Sequence, residues 1–144
     1  MQIPTARRLL AASLLALLAH SAGAGELVVI VSAKNPIAAL RADQVADIFL
    51  ARVGHFPDGA DAAALDQAIG SPLRSEFYAK VAAKSPALVK AYWAKMIFTG
   101  RGQPPKEAPN SAAVRKLVAD NPALIGYIAK SALDASVKPV LLVP

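Results

Sequence analysis

The apolar positions of this chain follow two rhythms, short continuous runs and helical stripes, and the two alternate along its length. "ELVVIV", Glu26 to Val31, is a continuous β-branched run, the pattern of a strand buried on both faces. After the turn "SAKNP", "RADQVADIFL" sets Val45, Ile48 and Phe49 on one face of a short helix whose first turn carries Asp43. Proline and glycine in "GHFPDG" break the chain, and "AAALDQ", Ala62 to Gln67, reads as a second short strand.

Two helices are predicted next, Pro72 to Ala83 and Pro86 to Phe98. In the second, Leu88, Val89, Tyr92, Trp93, Met96 and Ile97 recur at i, i+1, i+4 and i+5, a stripe that predicts Trp93 in the core rather than as a ligand platform. Gly100 ends that helix, and "TGRGQPPKEAPN" reads as a long loop with three prolines. "SAAVRKLVADN" is a further helix with Val114, Leu117 and Val118 on one face. "ALIGYI" and "VKPVLLV" close the chain as strands, Pro139 pushing the latter to a sheet edge. The alternation predicts an α/β fold, a small mixed sheet flanked by helices, without repeats or linkers. Ligands of such sheets sit at strand ends facing helix N-termini.

The first residues change the picture. Arg7 and Arg8 precede an apolar run from Leu9 to Ala19, then small residues at Ala22 and Ala24, which predicts a signal peptide over residues 1–24 and a periplasmic or secreted protein starting at Gly25. The run is well short of the roughly 20 residues of a membrane span, so no stable membrane insertion is expected after cleavage. Residues 25–144 then suit one compact domain. Losing Arg7 and Arg8 takes the formal net charge from +6 to +4, a mild excess with basic residues that read as scattered, so nucleic acid is not an expected partner.

Composition removes whole classes of chemistry. The chain has no cysteine, and His20 leaves with the signal, so His55 is the one remaining imidazole. Thiol nucleophiles, disulfides and multi-histidine metal sites are excluded, and no cofactor or metal is expected. Asp66 and Glu76 do not assemble into an acid–base mechanism, and His55 beside Phe56 and Pro57 reads as a turn residue, so the expectation is a protein that is not an enzyme.

Four pairs, Asn35-Pro36, Ser71-Pro72, Ser85-Pro86 and Asn121-Pro122, join a capping residue to a proline, the grammar of a helix start. Capping alone accounts for most of them. Ser71 stands apart, because Gly70 permits close backbone approach, Asp66 ends a predicted strand, and Arg74 brings a cation to a helix end that is already positive. Either bare amides, a hydroxyl and a guanidinium wait there for a tetrahedral oxyanion, or Arg74 pairs with Asp66 or packs on Tyr78 one turn later.

"ADQVADIFLARVGHFPDG", "LDQAIGSPLRSEFYAKV", "AYWAKMIFTGRGQPPKE" and "VADNPALIGYIAKSALDASVKPV" resemble, in that order, segments of the periplasmic phosphate-binding proteins of ABC transporters, especially their short single-domain relatives. The resemblance implies one lobe, or a minimal form, of a two-lobed receptor that holds phosphate with helix-terminal N–H groups, hydroxyls, an arginine and an aspartate. Asp66 to Phe77 is similar to the family's phosphate segment, which implies Ser71 as hydroxyl and N–H donor and Arg74 as cationic partner, with Asp66 and Gly70 beside them. "SAKNP" stands where the family has a Gly-Ser loop and implies Ser32 and Asn35 as further polar groups; Gln67 and Pro72 depart from the family's arginine and glycine.

The expected function is therefore an exported, non-catalytic solute-binding protein for phosphate or a similar oxyanion, partnered by an ABC permease or another envelope protein. The alternative is a periplasmic interaction or sensory module that keeps the fold without the ligand, contacting its partner through the loop from Thr99 to Pro109.

Overall fold

The computed structural model describes residues 26–144; the predicted signal peptide and its cleavage site lie outside the described residues. Strand β1 (Leu27–Ser32) pairs antiparallel on one side with β4 (Leu124–Ala129) and on the other with β5 (Val137–Val143). Strand β2 (Ala63–Gln67) runs parallel to β4 and to the three-residue β3 (Lys106–Ala108), giving one mixed sheet in the order β3-β2-β4-β1-β5. The helices are α1 (Ala42–Phe49), α2 (Pro72–Ala82), α3 (Pro86–Phe98) and α4 (Ser111–Asp120).

Successive residues of a strand point to opposite faces, and both faces of this sheet are covered. Leu27, Val29 and Val31 join Phe49, Phe77 and Trp93 in the core under α1, α2 and α3, while Val28 and Ile30 join Val114 and Val118 of α4. Burial on both sides explains why "LVVIV" is apolar without alternation. Phe77 stacks on Tyr127 with ring centroids 4.0 Å apart, so α2 is seated directly on β4. Gly126 lets α4 come equally close on the opposite face, since a Cβ there would lie 2.6 Å from Val114 Cγ1.

The α/β class, the four helices, the four predicted strands and the edge position of Pro139 agree with the sequence reading. Three local features differ. Strand β3 lies inside the predicted loop; three residues are too few to show a period, and the strand exists through its pairing with β2. The two Asn-Pro pairs are turns rather than helix starts: Asn35 Oδ1 accepts from Ile37 N–H and Asn121 Oδ1 from Ala123 N–H, each two residues on. Helix α1 instead begins at Arg41, whose N–H donates to Gln44 Oε1, and α4 at Asn110, whose Oδ1 accepts from Ala113 N–H. Finally, the α3 stripe is only partly buried. Val89 and Trp93 reach the core, whereas Leu88 and Ile97 face solvent and Phe98 is 92% exposed.

Candidate functional site

The candidate site forms where β2 ends and α2 begins. Gly70, at φ +90°, turns the chain in a conformation that an L side chain rarely adopts, and Ser71 caps α2 with its Oγ accepting from Arg74 N–H at 3.4 Å. That geometry carries the Arg74 side chain back over the end of β2. Its Nη1 lies 2.7 Å from Glu107 Oε1, 3.5 Å from Asp66 Oδ2 and 2.9 Å from the Gln67 carbonyl, and its guanidinium sits 5.6 Å from the centre of the Tyr78 ring. Of the alternatives left open by the sequence, pairing with Asp66 and packing on Tyr78 are both realised, and Glu107 joins them.

Asp66 is fully buried, and its carboxylate is enclosed by donors. Tyr78 donates to Oδ2 at 2.5 Å, and Oδ1 accepts from the Tyr127 hydroxyl and from Gln67 N–H. Gln67 extends the network, its Nε2 donating to Tyr127 O at 3.0 Å and Ser111 Oγ at 3.2 Å. Burial pushes the Asp66 carboxyl above its ordinary range, while hydrogen bonds from Tyr127 and Tyr78 and the Arg74 charge pull it back. Burial first, and then the Asp66 charge, push both phenols far upward, so they remain protonated donors.

Of the first three residues of α2, only Leu73 has an N–H left to offer an anion. Pro72 has no N–H, Arg74 N–H goes to Ser71 Oγ, and Ser75 N–H goes to the Ser71 carbonyl. On its outer side, Glu107 Oε1 accepts both the Arg74 guanidinium and Ile69 N–H at 3.2 Å. A guanidinium plus a backbone amide is the donor set suited to an oxyanion, and here a carboxylate of the same chain takes it.

Ser32 and Asn35 lie elsewhere. Because β1 runs antiparallel to β4 and β2 parallel to it, the C-terminal ends of β1 and β2 are at opposite ends of the sheet. Ser32 Oγ donates to Ala119 O, and Asn35 Nδ2 to Pro122 O, tying β1 to the α4–β4 connection. The structure thus brings Asp66, Gly70, Ser71 and Arg74 together and leaves Ser32 and Asn35 apart. Sequence reasoning missed Glu107 and Tyr127, which nothing local to Asp66 or Arg74 names because they are distant in the chain. It also missed Gln67, whose N–H donates to the neighbouring Asp66 carboxylate and whose side chain reaches Tyr127 O and Ser111 Oγ.

Among the described residues, no group of three or more histidine, aspartate and glutamate side chains gathers as a metal site, and no helix is long and apolar enough to cross a membrane.

Comparison with known proteins defines the fold. No protein-family model matches the chain, and no curated protein matches it. Among solved structures, it is similar to a protein described as a phosphate ABC transporter substrate-binding protein, with bound phosphate, from Clostridium perfringens, at 24% identity and a TM-score of 0.62 over 81% of this chain and 45% of that one. An ABC-type phosphate transport receptor from Vibrio cholerae gives 17% identity and 0.63 over 81% and 46%, and PstS from Borrelia burgdorferi gives 14% and 0.57 over 83% and 47%. The fold is therefore that of part of the ABC-transporter phosphate-binding proteins, and the chain spans a little under half the length of these three.

Proposed function

We propose that the chain is an exported, non-catalytic domain on the phosphate-binding-protein fold that acts by contact with another envelope protein, its own Glu107 holding the place of an anion. The observation that carries this reading is the pairing of Arg74 with two carboxylates, Glu107 at 2.7 Å and Asp66 at 3.5 Å. One guanidinium facing two carboxylates has no surplus positive charge for a dissolved anion. An intramolecular competitor also acts at an effective concentration on the order of millimolar, which free phosphate at micromolar levels does not match. The non-catalytic part of the reading is supported by the neighbours, which are named as a substrate-binding protein and a transport receptor.

Calorimetry of residues 25–144 with inorganic phosphate and sulfate tests this. The expected result is no heat and no thermal shift at millimolar anion. Binding in the micromolar range by the wild-type protein overturns the reading.

A second reading, reversible capture of phosphate or a similar oxyanion for an ABC permease, is favoured by one observation: Glu107 is partly exposed, so its carboxylate can swing away and leave Arg74 and Ile69 N–H to a ligand. Glu107→Ser separates the two. Under the contact reading the variant gains weak phosphate binding that the wild type lacks; under the receptor reading the wild type already binds, and the variant binds more tightly.

A further inference from the structure

A second region of the molecule has the opposite character from the Asp66 cluster. Between Ala83 and Lys106 the chain carries Lys84, Lys90, Lys95, Arg101 and Lys106 and no acidic residue. None of these five cations makes an ion pair among the described residues. Lys90 and Lys95 lie on α3, Lys84 precedes it with its ammonium 5.4 Å from the centre of the Tyr92 ring, and Arg101 and Lys106 follow on the way into β3. Large apolar side chains stand open among them. Phe98 is 92% exposed, Leu88 and Ile97 are about half exposed, and Ile69 reaches in from the β2–α2 turn at 80% exposure.

Between α3 and the Pro104–Glu107 segment lies a groove of about 460 Å³, lined by Val89, Trp93, Ile97, Ile69 and Pro104, with Lys90 also on it. The Trp93 indole N–H is the one buried side-chain donor or acceptor among the described residues without a hydrogen-bond partner. Strand β3, which flanks the groove, ends the sheet and pairs with β2 alone. A sheet edge of this kind accepts an added strand.

We propose that this groove receives an extended acidic segment of a partner protein, its apolar side chains against Trp93 and Ile97 and a carboxylate toward Lys90. The proposal rests on the contact reading above and gives the partner its chemistry. Charge complementarity selects the occupant: Arg74 and Glu107 on the groove pair with each other, which leaves the Lys90 charge unanswered, and the excess of cations in the flanking chain steers an acidic segment and repels a basic one. A second copy of this chain would bring the same cations against each other. An anionic lipid surface matches the charge but not the shape: the site is concave and flanked by a sheet edge, which pairs with a polypeptide backbone and not with hydrocarbon.

Trp93 is the only tryptophan in the chain, so its emission reports occupancy of the groove directly. Residues 25–144 are titrated with extended peptides in which leucine or phenylalanine alternates with glutamate, with the same peptides carrying glutamine or lysine for glutamate, and with phosphatidylglycerol vesicles. The expected result is saturable binding of the glutamate peptides, with a shift in Trp93 emission that weakens as salt rises. Charge reversal by Lys90→Glu with Lys95→Glu weakens that binding about tenfold or more, as does Ile97→Ser, while thermal melts stay at the wild-type midpoint. Equal binding of the glutamine or lysine peptides, binding of vesicles alone, or no response to any peptide overturns the proposal. The silent phosphate titration is scored separately: if it stays silent while the peptides fail, only the partner chemistry falls, and if phosphate binds the wild type, the contact reading falls with it.

Discussion

The end of β2 and the outer face of α3 lie along one groove and treat charge in opposite ways. At the first, every charged group has its partners inside the fold: Asp66 takes two phenols, a backbone amide and Arg74, and Arg74 takes Glu107 as well. At the second, Lys90 and Lys95 and three large apolar side chains, Leu88, Ile97 and Phe98, meet solvent without an ion pair or an apolar cover among the described residues. Residue types alone point to the first region as the anion site, because an arginine at a helix N-terminus is unfavourable unless something negative answers it. The answer is already within the chain. Where charge is left unanswered, at α3, is the better guide to what the molecule meets outside itself.

The sharpest way to break this contrast is at Asp66. Asp66→Ala leaves two buried phenol O–H groups without their acceptor and removes one of the carboxylates paired with Arg74, so a loss of about 3–5 kcal/mol is expected in urea denaturation. A loss under about 1 kcal/mol would mean that water reaches the cluster and that it is not the closed region described. The pH dependence has a definite sign. Burial raises the Asp66 pKa in the folded protein, so the native state holds that proton more tightly than the unfolded chain does. The stabilisation this provides is complete in acid below the ordinary carboxylate range and is lost as pH rises through the raised native value. Asp66→Asn removes the dependence, so the stability of the wild type relative to this variant should fall with rising pH over that window.

Next in size is the helix cap. Ser71→Ala removes the acceptor of Arg74 N–H, and about 1 kcal/mol should be lost in thermal or chemical melts. If Ser71 acts only as a cap, the variant changes stability and leaves the Glu107→Ser phosphate response intact. Loss of that response along with the cap would instead make Ser71 a ligand group.

These regions were unequally legible in the sequence. The strand at Leu27–Ser32 and the edge strand holding Pro139 could be read because their signals are local, a continuous apolar run and a residue lacking an N–H. The caps at Ser71 and Ser85 were legible for the same reason. Strand β3 and Glu107 were not, since both depend on partners more than 30 residues away and no periodicity encodes that pairing. Ser32 and Asn35 were grouped with Ser71 because chain order carries no strand direction; only the antiparallel pairing of β1 with β4 places them at the far end of the sheet. The exposed part of the α3 stripe shows the reverse case, where Leu88 and Ile97 fit a helical period but the fold supplies nothing to cover them.

The smallest expected effect tests the open region by its silence. Lys90 and Lys95 are exposed on α3 and pair with no acid among the described residues, so truncating both removes no ion pair from the fold. Alanine also favours a helix slightly more than lysine does, which offsets the apolar surface that the aliphatic stems of the two lysines cover. Lys90→Ala with Lys95→Ala should therefore move stability by no more than about 0.5 kcal/mol in urea denaturation. A loss well above that would show that the two ammonium groups are held within the protein after all, and the cationic face of α3 would then be as internally satisfied as the Asp66 cluster. Unchanged stability, set beside the large loss at Asp66, would mean that one end of the groove uses its charge for folding and the other keeps it for contact.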